Sequence, residues 1–264
     1  MTEPSGEFTP AAAVDDVTED AFLGGQLRLR QPRSGHRAGH DAVLLAAATP
    51  ARPGDRVIDF GAGVGAAGLA LARRVAGIEL VLVEIDRGLA HLAEINARSN
   101  AIAADTLVLD VTADAQAFAA AGLPADSADI VLMNPPFNDA ARHRPSPERS
   151  REIAHVATAA TLEGWIHAAR RTLKSGGVLS LIWRADGLAE VLAALHRGFG
   201  SVAVLPVHGD SAAPAIRVLV RAVKGGKAPM RIYAALMLNP ASAQPHQQIE
   251  QILAGKGILP LALP

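Results

Sequence analysis

Two short segments carry residue types and spacings that can do chemistry. The first is Asp59-Phe60-Gly61-Ala62-Gly63-Val64-Gly65-Ala66, which leaves an apolar run and enters a helical pattern. Glycines there let the backbone turn tightly and approach a ligand, and the free N–H groups of a helix start favour polar or anionic atoms. About 20 residues on, the next apolar run ends in Val83-Glu84-Ile85-Asp86, which places a carboxylate where both hydroxyls of a ribose can be bound. Together these features point to a nucleoside-containing cofactor held by Asp59, Gly61, Ala62, Gly63, Gly65, Glu84 and Ile85. Gly61-x-Gly63-x-x-Ala66 also satisfies the relaxed dinucleotide fingerprint, so a nicotinamide cofactor stays open. Asp59 tips the balance, because a carboxylate beside the turn suits a cationic amino-acid moiety better than a pyrophosphate. S-adenosylmethionine carries that ammonium and has no phosphate.

The second segment is Asn134-Pro135-Pro136-Phe137, which stops the buried run Ile130-Val131-Leu132-Met133. Two prolines remove two backbone donors and fix two φ angles, so the strand ends in a rigid turn. A strand terminator alone does not account for a carboxamide, a stiff turn and a large aromatic in a chain with only 3% aromatic residues. An exocyclic amine on a purine is a poor nucleophile because its lone pair is delocalised into the ring. With the Asn134 side-chain oxygen and the Pro135 carbonyl accepting its two hydrogens, the nitrogen can pyramidalise, and the charge growing on it is stabilised. Phe137 then stacks on the ring, worth roughly 1–3 kcal/mol per base in single-strand binders. No strong general base is required, since the alkylated ammonium sheds its proton readily.

The elements that must position these segments follow a regular rhythm. Strands are expected at Arg56–Phe60, Glu79–Val83, Thr106–Leu109, Ile130–Met133, Val178–Trp183, Val202–Pro206 and Ile216–Arg221. Helices are expected between them at Val64–Val75, Arg87–Ser99, Thr112–Ala120, Ala157–Leu173 and Gly187–Gly198. Strand–helix alternation implies an α/β fold with a seven-stranded, mostly parallel, Rossmann-like sheet and helices on both faces. The last two strands lie too close for a parallel crossover and should form an antiparallel edge hairpin. Residues 1–20, rich in acids and without a base, read as a flexible leader ahead of a single domain over residues 21–264. Within it, residues 21–50 form an extension: FLGGQLRLRQP alternates as a strand or hairpin, and Asp41 is placed to cap a helix over Ala42–Thr49. Gln247–Leu253 reads as a short closing helix.

The chain of 264 residues is 50% hydrophobic, with 25 basic and 26 acidic side chains and no cysteine. No disulfide framework or thiolate metal site is possible, and no apolar run reaches the roughly 18 residues of a membrane helix. A soluble, cytoplasmic protein is expected, with no membrane partner; the pattern leaves oligomeric state open. The histidines lack metal-ligand spacing, so no metal is expected. Near neutrality gives no global case for nucleic acid, but the loop His143–Arg151 is basic and nearly free of apolar residues, suited to phosphates. Arg37 and His40 precede the first helix and suit either the cofactor, an RNA or plain surface. Trp165 and Trp183 read as core.

Taken together, Asp59-x-Gly-x-Gly-x-Gly, Glu84 and Asn-Pro-Pro-Phe resemble class I S-adenosylmethionine-dependent methyltransferases that modify amino groups. Phe22-Leu23-Gly24-Gly25, Leu29-x-Gln31-Pro32, His36-Arg37-Ala38-Gly39-x-Asp41-Ala42-Val43-Leu44-Leu45-Ala46-Ala47 and Arg217-Val218-Leu219-Val220-Arg221-Ala222-x-Lys224-Gly225-Gly226 extend the likeness over most of residues 20–232. With them the chain is similar to the bacterial tRNA(1)(Val) adenine N6-methyltransferase family. The resemblance implies that Asp59, Gly61, Gly63 and Glu84 hold the cofactor and that Asp110 accepts from its adenine amine. It makes Asn134, Pro135 and Phe137 the catalytic turn, and a structured RNA, tRNA, the partner. Two departures, Asn138 where relatives often have a second aromatic and the absence of a basic excess, bear on the substrate more than the reaction. A ribosomal-RNA guanine N2- or protein glutamine N5-methyltransferase, or a non-catalytic S-adenosylmethionine-binding module, are the alternatives.

Overall fold

The computed structural model describes residues 17–34, 37–136, 148–210, 212–239 and 243–263, the side chains of 148–159 and 243–246 excepted. Two antiparallel strands come first, β1 (Val17–Phe22) and β2 (Leu27–Pro32). Helix α1 (His40–Ala48) leads into β3 (Arg56–Phe60), α2 (Ala66–Arg74), β4 (Glu79–Glu84), α3 (Arg87–Ser99) and β5 (Ala104–Val108). Then come α4 (Ala115–Ala120), β6 (Ala128–Met133), α5 (Glu148–Thr172), β7 (Leu173–Arg184) and α6 (Leu188–Leu195). Strands β8 (Phe199–His208), β9 (Ala215–Lys224), β10 (Arg231–Ile232) and β11 (Leu236–Met237) precede α7 (Ala243–Leu253).

The seven longer strands lie in the order β5-β4-β3-β6-β7-β9-β8. β3 to β7 run parallel, and β9 is antiparallel to both β7 and β8. The expected hairpin is present, but its outer strand is not the edge. The two-residue strands β10 and β11 pair with β8, which makes a nine-stranded sheet rather than a seven-stranded one. Two residues have no periodicity to read, which is why the sequence pattern misses them. One face of the sheet packs on α1, α2, α3 and α7, the other on α4, α5 and α6. Such three-layer packing requires strands that are apolar on both sides, as Val57, Ile58 and Phe60 of β3 are, each fully buried. Among the described residues no helix is long and apolar enough to cross a membrane.

Three expectations need correction. The flexible leader does not extend to residue 20, because Val17–Phe22 is paired along its length with Leu27–Pro32. Its acids are engaged rather than merely solvated: Glu19 pairs with Arg28 and Arg30, and Asp20 accepts from Thr18, Gln31 and Arg37. Residues 1–16 lie outside the described residues. Asp41 is not the cap of α1; Gly39 holds that position without a side-chain bond, and Asp41 accepts instead from Arg217 Nε at 2.9 Å. β5 begins two residues early, at Ala104, since an edge strand alternates weakly.

The extension is fastened to the core through α3. Asn96 Oδ1 accepts from Arg30 N at 2.8 Å, and its Nδ2 donates to the carbonyls of Arg30 and Val64, both at 3.0 Å. One helical turn on, Asn100 bonds Arg28 N and O in the same way, at 2.9 and 2.8 Å. Four helical residues rise about 6 Å and two strand residues about 6.6 Å, so two amides on a helix can mimic the edge of a neighbouring strand. Asn96 is fully buried, whereas Asn100 is not. Replacing Asn96 by Ala strands buried polar groups and should cost about 2–3 kcal/mol, against about 1 kcal/mol for Asn100→Ala. Urea denaturation midpoints check this; equal, small losses would show that the apolar residues of β2 alone hold the extension.

Candidate active site

Strand order reverses between β3 and β6, and in open α/β sheets the crevice at the carboxyl end of such a switch point receives ligands. The parallel registers align the site. Phe60 pairs with Val83 on one side and Met133 on the other. The next residue of each strand, Glu84, Gly61 and Asn134, therefore forms a row at one level across β4, β3 and β6, with neighbours about 4.8 Å apart.

The turn after β3 runs through Gly61, Gly63 and Gly65, all at positive φ (67°, 56° and 88°), and Ala62 N donates to the carbonyl of Val83 at 2.9 Å. Gly61 is required for a second reason: a Cβ there would lie 2.3 Å from Cη2 of Trp165, which α5 lays against the turn. Around Gly63 nothing stands within 4 Å of such a Cβ, so the outer side of the turn is open. Glu84 Oε2 accepts from Gly63 N at 2.8 Å and Oε1 from Asp86 N at 2.9 Å. The carboxylate thus fixes the turn, and each oxygen keeps lone pairs for a further donor. Beside it Ile85 is 62% exposed, an apolar surface at the mouth of the crevice.

Asp59, read from the sequence as a cofactor ligand, lies almost wholly beneath the turn. It is 2% exposed, and its Oδ2 accepts from Gly68 N at 2.8 Å, beneath the turn. The bond anchors α2 to β3. Gly68, overlooked in the sequence pattern, permits this approach, since a Cβ there would come within 2.7 Å of Leu82 Cδ2 and 3.0 Å of the Asp59 carboxylate. Burial, reinforced by the neighbouring Glu84 carboxylate and opposed by the Gly68 N–H, pushes Asp59 up to about 7. Asp110 lies two residues beyond β5, exposed, with Oδ1 accepting from the Thr112 backbone and hydroxyl, both at 2.7 Å.

On the other side of Gly61, Pro135 is buried and Pro136 exposed. Asn134 Oδ1 is buried with no hydrogen-bond partner among the described residues. A desolvated acceptor with no donor costs about 1–3 kcal/mol, so this oxygen is available to a donor entering the crevice. Phe137 and residues 142–147 of the basic loop lie outside the described residues, as do the side chains of Glu148–Arg151 and His155. Arg37 is tied to Asp20 and to the Pro32 carbonyl rather than to the crevice, and His40 opens α1, exposed. Trp183 is fully buried core, as expected. Trp165 is buried too, and in addition roofs the glycine turn, a dual role that composition could not reveal.

A sheet of this order with its ligand crevice at the switch between β3 and β6 is the architecture of the Rossmann-like methyltransferases. The profile of the methyltransferase small domain family matches residues 36–209, and the chain belongs to that family. A tRNA1(Val) (adenine(37)-N6)-methyltransferase of Flavobacterium psychrophilum is 32% identical over 164 residues, 60% of this chain and 65% of the relative. The chain thus spans just under two thirds of that relative's length. A protein of the same name from Tolumonas auensis is 26% identical over 228 residues, 86% of this chain and 87% of that one. Among solved structures, the Agrobacterium tumefaciens protein Atu636, a predicted O-methyltransferase, is 31% identical, with a TM-score of 0.68 over 83% of this chain and 98% of its own.

The raised pKa of Asp59 has a definite sign. Between the ordinary value of 3.8 and about 7 the folded protein keeps a proton that the unfolded chain has released. This residue therefore makes the protein less stable as pH rises through that window, with no further change above it. Relative to Asp59→Asn, the wild type should lose stability from pH 4 to 7 and run parallel from 7 to 9 in urea titrations. Curves parallel throughout would show that the carboxyl is ionised in the folded state.

Proposed function

We propose that this protein transfers the methyl group of S-adenosylmethionine to the exocyclic N6 of an adenine in tRNA. The observation that carries the reading is the buried Asn134 Oδ1, without a partner among the described residues, in line with the glycine turn. The residues present fit the cofactor: an open face at Gly63, two accepting oxygens on Glu84 for a ribose, the apolar Ile85 for a flat ring and the exposed Asp110 for an amine. When bound, S-adenosylmethionine supplies an electrophilic methyl group on a cationic sulfur. Asn134 Oδ1 accepts one hydrogen of the target amine and the Pro135 carbonyl the other, which holds the nitrogen out of conjugation and stabilises its growing charge. The fixed φ angles of Pro135 and Pro136 keep those acceptors in place without reorganisation. In this reading Phe137 stacks on the acceptor ring. Asp59 acts from below, positioning α2 and with it the turn. The base must leave its stack, a cost of a few kcal/mol that is smaller in a loop. The tRNA substrate is supported by the shared name of the curated relatives, each a tRNA adenine N6-methyltransferase.

Asn134→Ala should lower methyl transfer to tRNA by about 10²–10³-fold, the range for losing one preorganised stabilising group, while S-adenosylhomocysteine binding stays unchanged in calorimetry. Glu84→Ala should weaken that binding itself. Mass spectrometry of nucleosides from the treated tRNA separates N6-methyladenosine from ribose methylation. A product on rRNA or protein alone, or binding of NAD in place of S-adenosylhomocysteine, would overturn the assignment.

A further inference from the structure

The carboxyl rim of the sheet holds a second weakly partnered group, on the strand next to Asn134. β7 ends at Arg184, and in the antiparallel pairing of β7 with β9 this residue lies directly opposite Arg217. Like charges facing each other across two strands are destabilising unless something neutralises them. Neither side chain escapes into solvent: Arg184 is 19% exposed and Arg217 25%. Arg217 is bonded to Asp41 at the first turn of α1 and to the Ile216 carbonyl.

Arg184 is different. Five arginines have a buried Nε that makes no well-directed hydrogen bond among the described residues, although that of Arg56 lies 2.8 Å from Glu79 and that of Arg184 3.1 Å from Asp186. Four of them, Arg56, Arg74, Arg171 and Arg221, donate another guanidinium N–H to a backbone carbonyl. For Arg184 the structure shows only an ion pair with Asp186, itself 77% exposed and so largely screened. Nothing among these contacts accounts for holding a guanidinium at this rim.

Register also fixes where the pair sits relative to the reacting group. Met133 pairs with Leu181, so Asn134 is level with Ile182, and Arg184 stands two residues further out on the adjacent strand. Leu132, Ile182 and Leu219 all pack on the α1 face of the sheet. Alternation places Asn134, Arg184 and Arg217 two residues on from, or before, these positions, towards that same face. One strand spacing and one two-residue rise separate Asn134 from Arg184 by about 8 Å between Cα atoms. Glu84 lies on the opposite side, three strands from β7, and S-adenosylmethionine carries no phosphate. The pair therefore belongs to the acceptor side.

We infer that Arg184, with Arg217 beside it, binds a backbone phosphate of the RNA next to the adenine whose amine reaches Asn134. A guanidinium presents paired donors that match phosphate oxygens, and a half-buried one is favoured for this over an ammonium. Asp41 and Asp186 face the same cluster. Asp41, 28% exposed, neutralises Arg217, whereas Asp186 is 77% exposed, so its pairing with Arg184 is readily exchanged for a phosphate. The inference rests on the reading of Asn134 as the group that binds the base.

The test uses the full chain, S-adenosylhomocysteine and a fluorescent RNA anticodon stem-loop, with affinity measured by anisotropy from 50 to 300 mM salt. Arg184→Gln should weaken RNA binding about tenfold and reduce the salt slope by about one, with S-adenosylhomocysteine binding unchanged. Arg184→Lys should recover part of the affinity and the full slope. A neutral methylphosphonate beside the target adenine should cost the wild type the same factor and cost Arg184→Gln nothing further. Wild-type affinity and slope in Arg184→Gln, while the wild type still methylates the stem-loop, would overturn the phosphate site alone. A wild type that neither binds nor methylates RNA would overturn the function proposed above and this site with it.

Discussion

The hydrogen-bond register of three adjacent parallel strands is the constraint on which the rest of this structure depends. β4, β3 and β6 are paired so that Val83, Phe60 and Met133 stand side by side, and Glu84, Gly61 and Asn134 follow them at the next level. Side chains alternate along a strand, so a slip of one residue would turn Glu84 or Asn134 to the other face and remove it from the row. Apolar side chains on both faces of these strands make such a slip expensive, since every buried Val, Ile and Leu would have to change layer. The crevice is thus held in register by core packing rather than by its own polar contacts.

Around that row the carboxylates divide their work according to burial. Asp59 and Glu84 are both close to the glycine turn, yet one lies beneath it and the other closes its side. Asp59, sealed between β3 and α2, spends its one recorded hydrogen bond on Gly68 and is held near neutrality by desolvation. Glu84 accepts two backbone N–H groups at the open end of β4. Two acids that look alike in sequence therefore differ in what they can offer a ligand. At the β6–β7 end of the rim the situation is reversed: among the described residues the Asn134 side-chain oxygen has no donor, and Arg184 faces an exposed aspartate.

The N-terminal hairpin joins this arrangement through α3. Asn96 reaches both Arg30 in β2 and the carbonyl of Val64 inside the glycine turn, so the extension and that turn share one buried amide. At the other end of the segment Arg37 is clamped to the hairpin, and Asp41 links α1 to Arg217 on β9. Residues 17–34 and 37–48 therefore brace the rim from the glycine turn after β3 to β9.

Much of this was legible beforehand. The glycine spacing, the acidic strand end and the Asn-Pro-Pro turn are local patterns, because backbone conformation and strand termination depend on neighbouring residues. They established the sheet, the turn and the type of chemistry. The bounds of β3 and α3 follow from the sequence to the residue, since an apolar run closed by a glycine turn and a capped amphipathic helix both declare their ends. What only the tertiary structure decided lies where distant segments meet. Nothing local distinguishes a carboxylate under a helix from one facing a ligand, so the burial of Asp59 was hidden. Gly68 looks like an ordinary helical residue until Asp59 and Leu82 crowd it. The Arg184–Arg217 pair joins residues from two strands, and only antiparallel pairing brings them face to face. Local sequence sets the conformations available to a segment; the packing of the whole chain sets which polar groups keep a partner and which are left waiting for one.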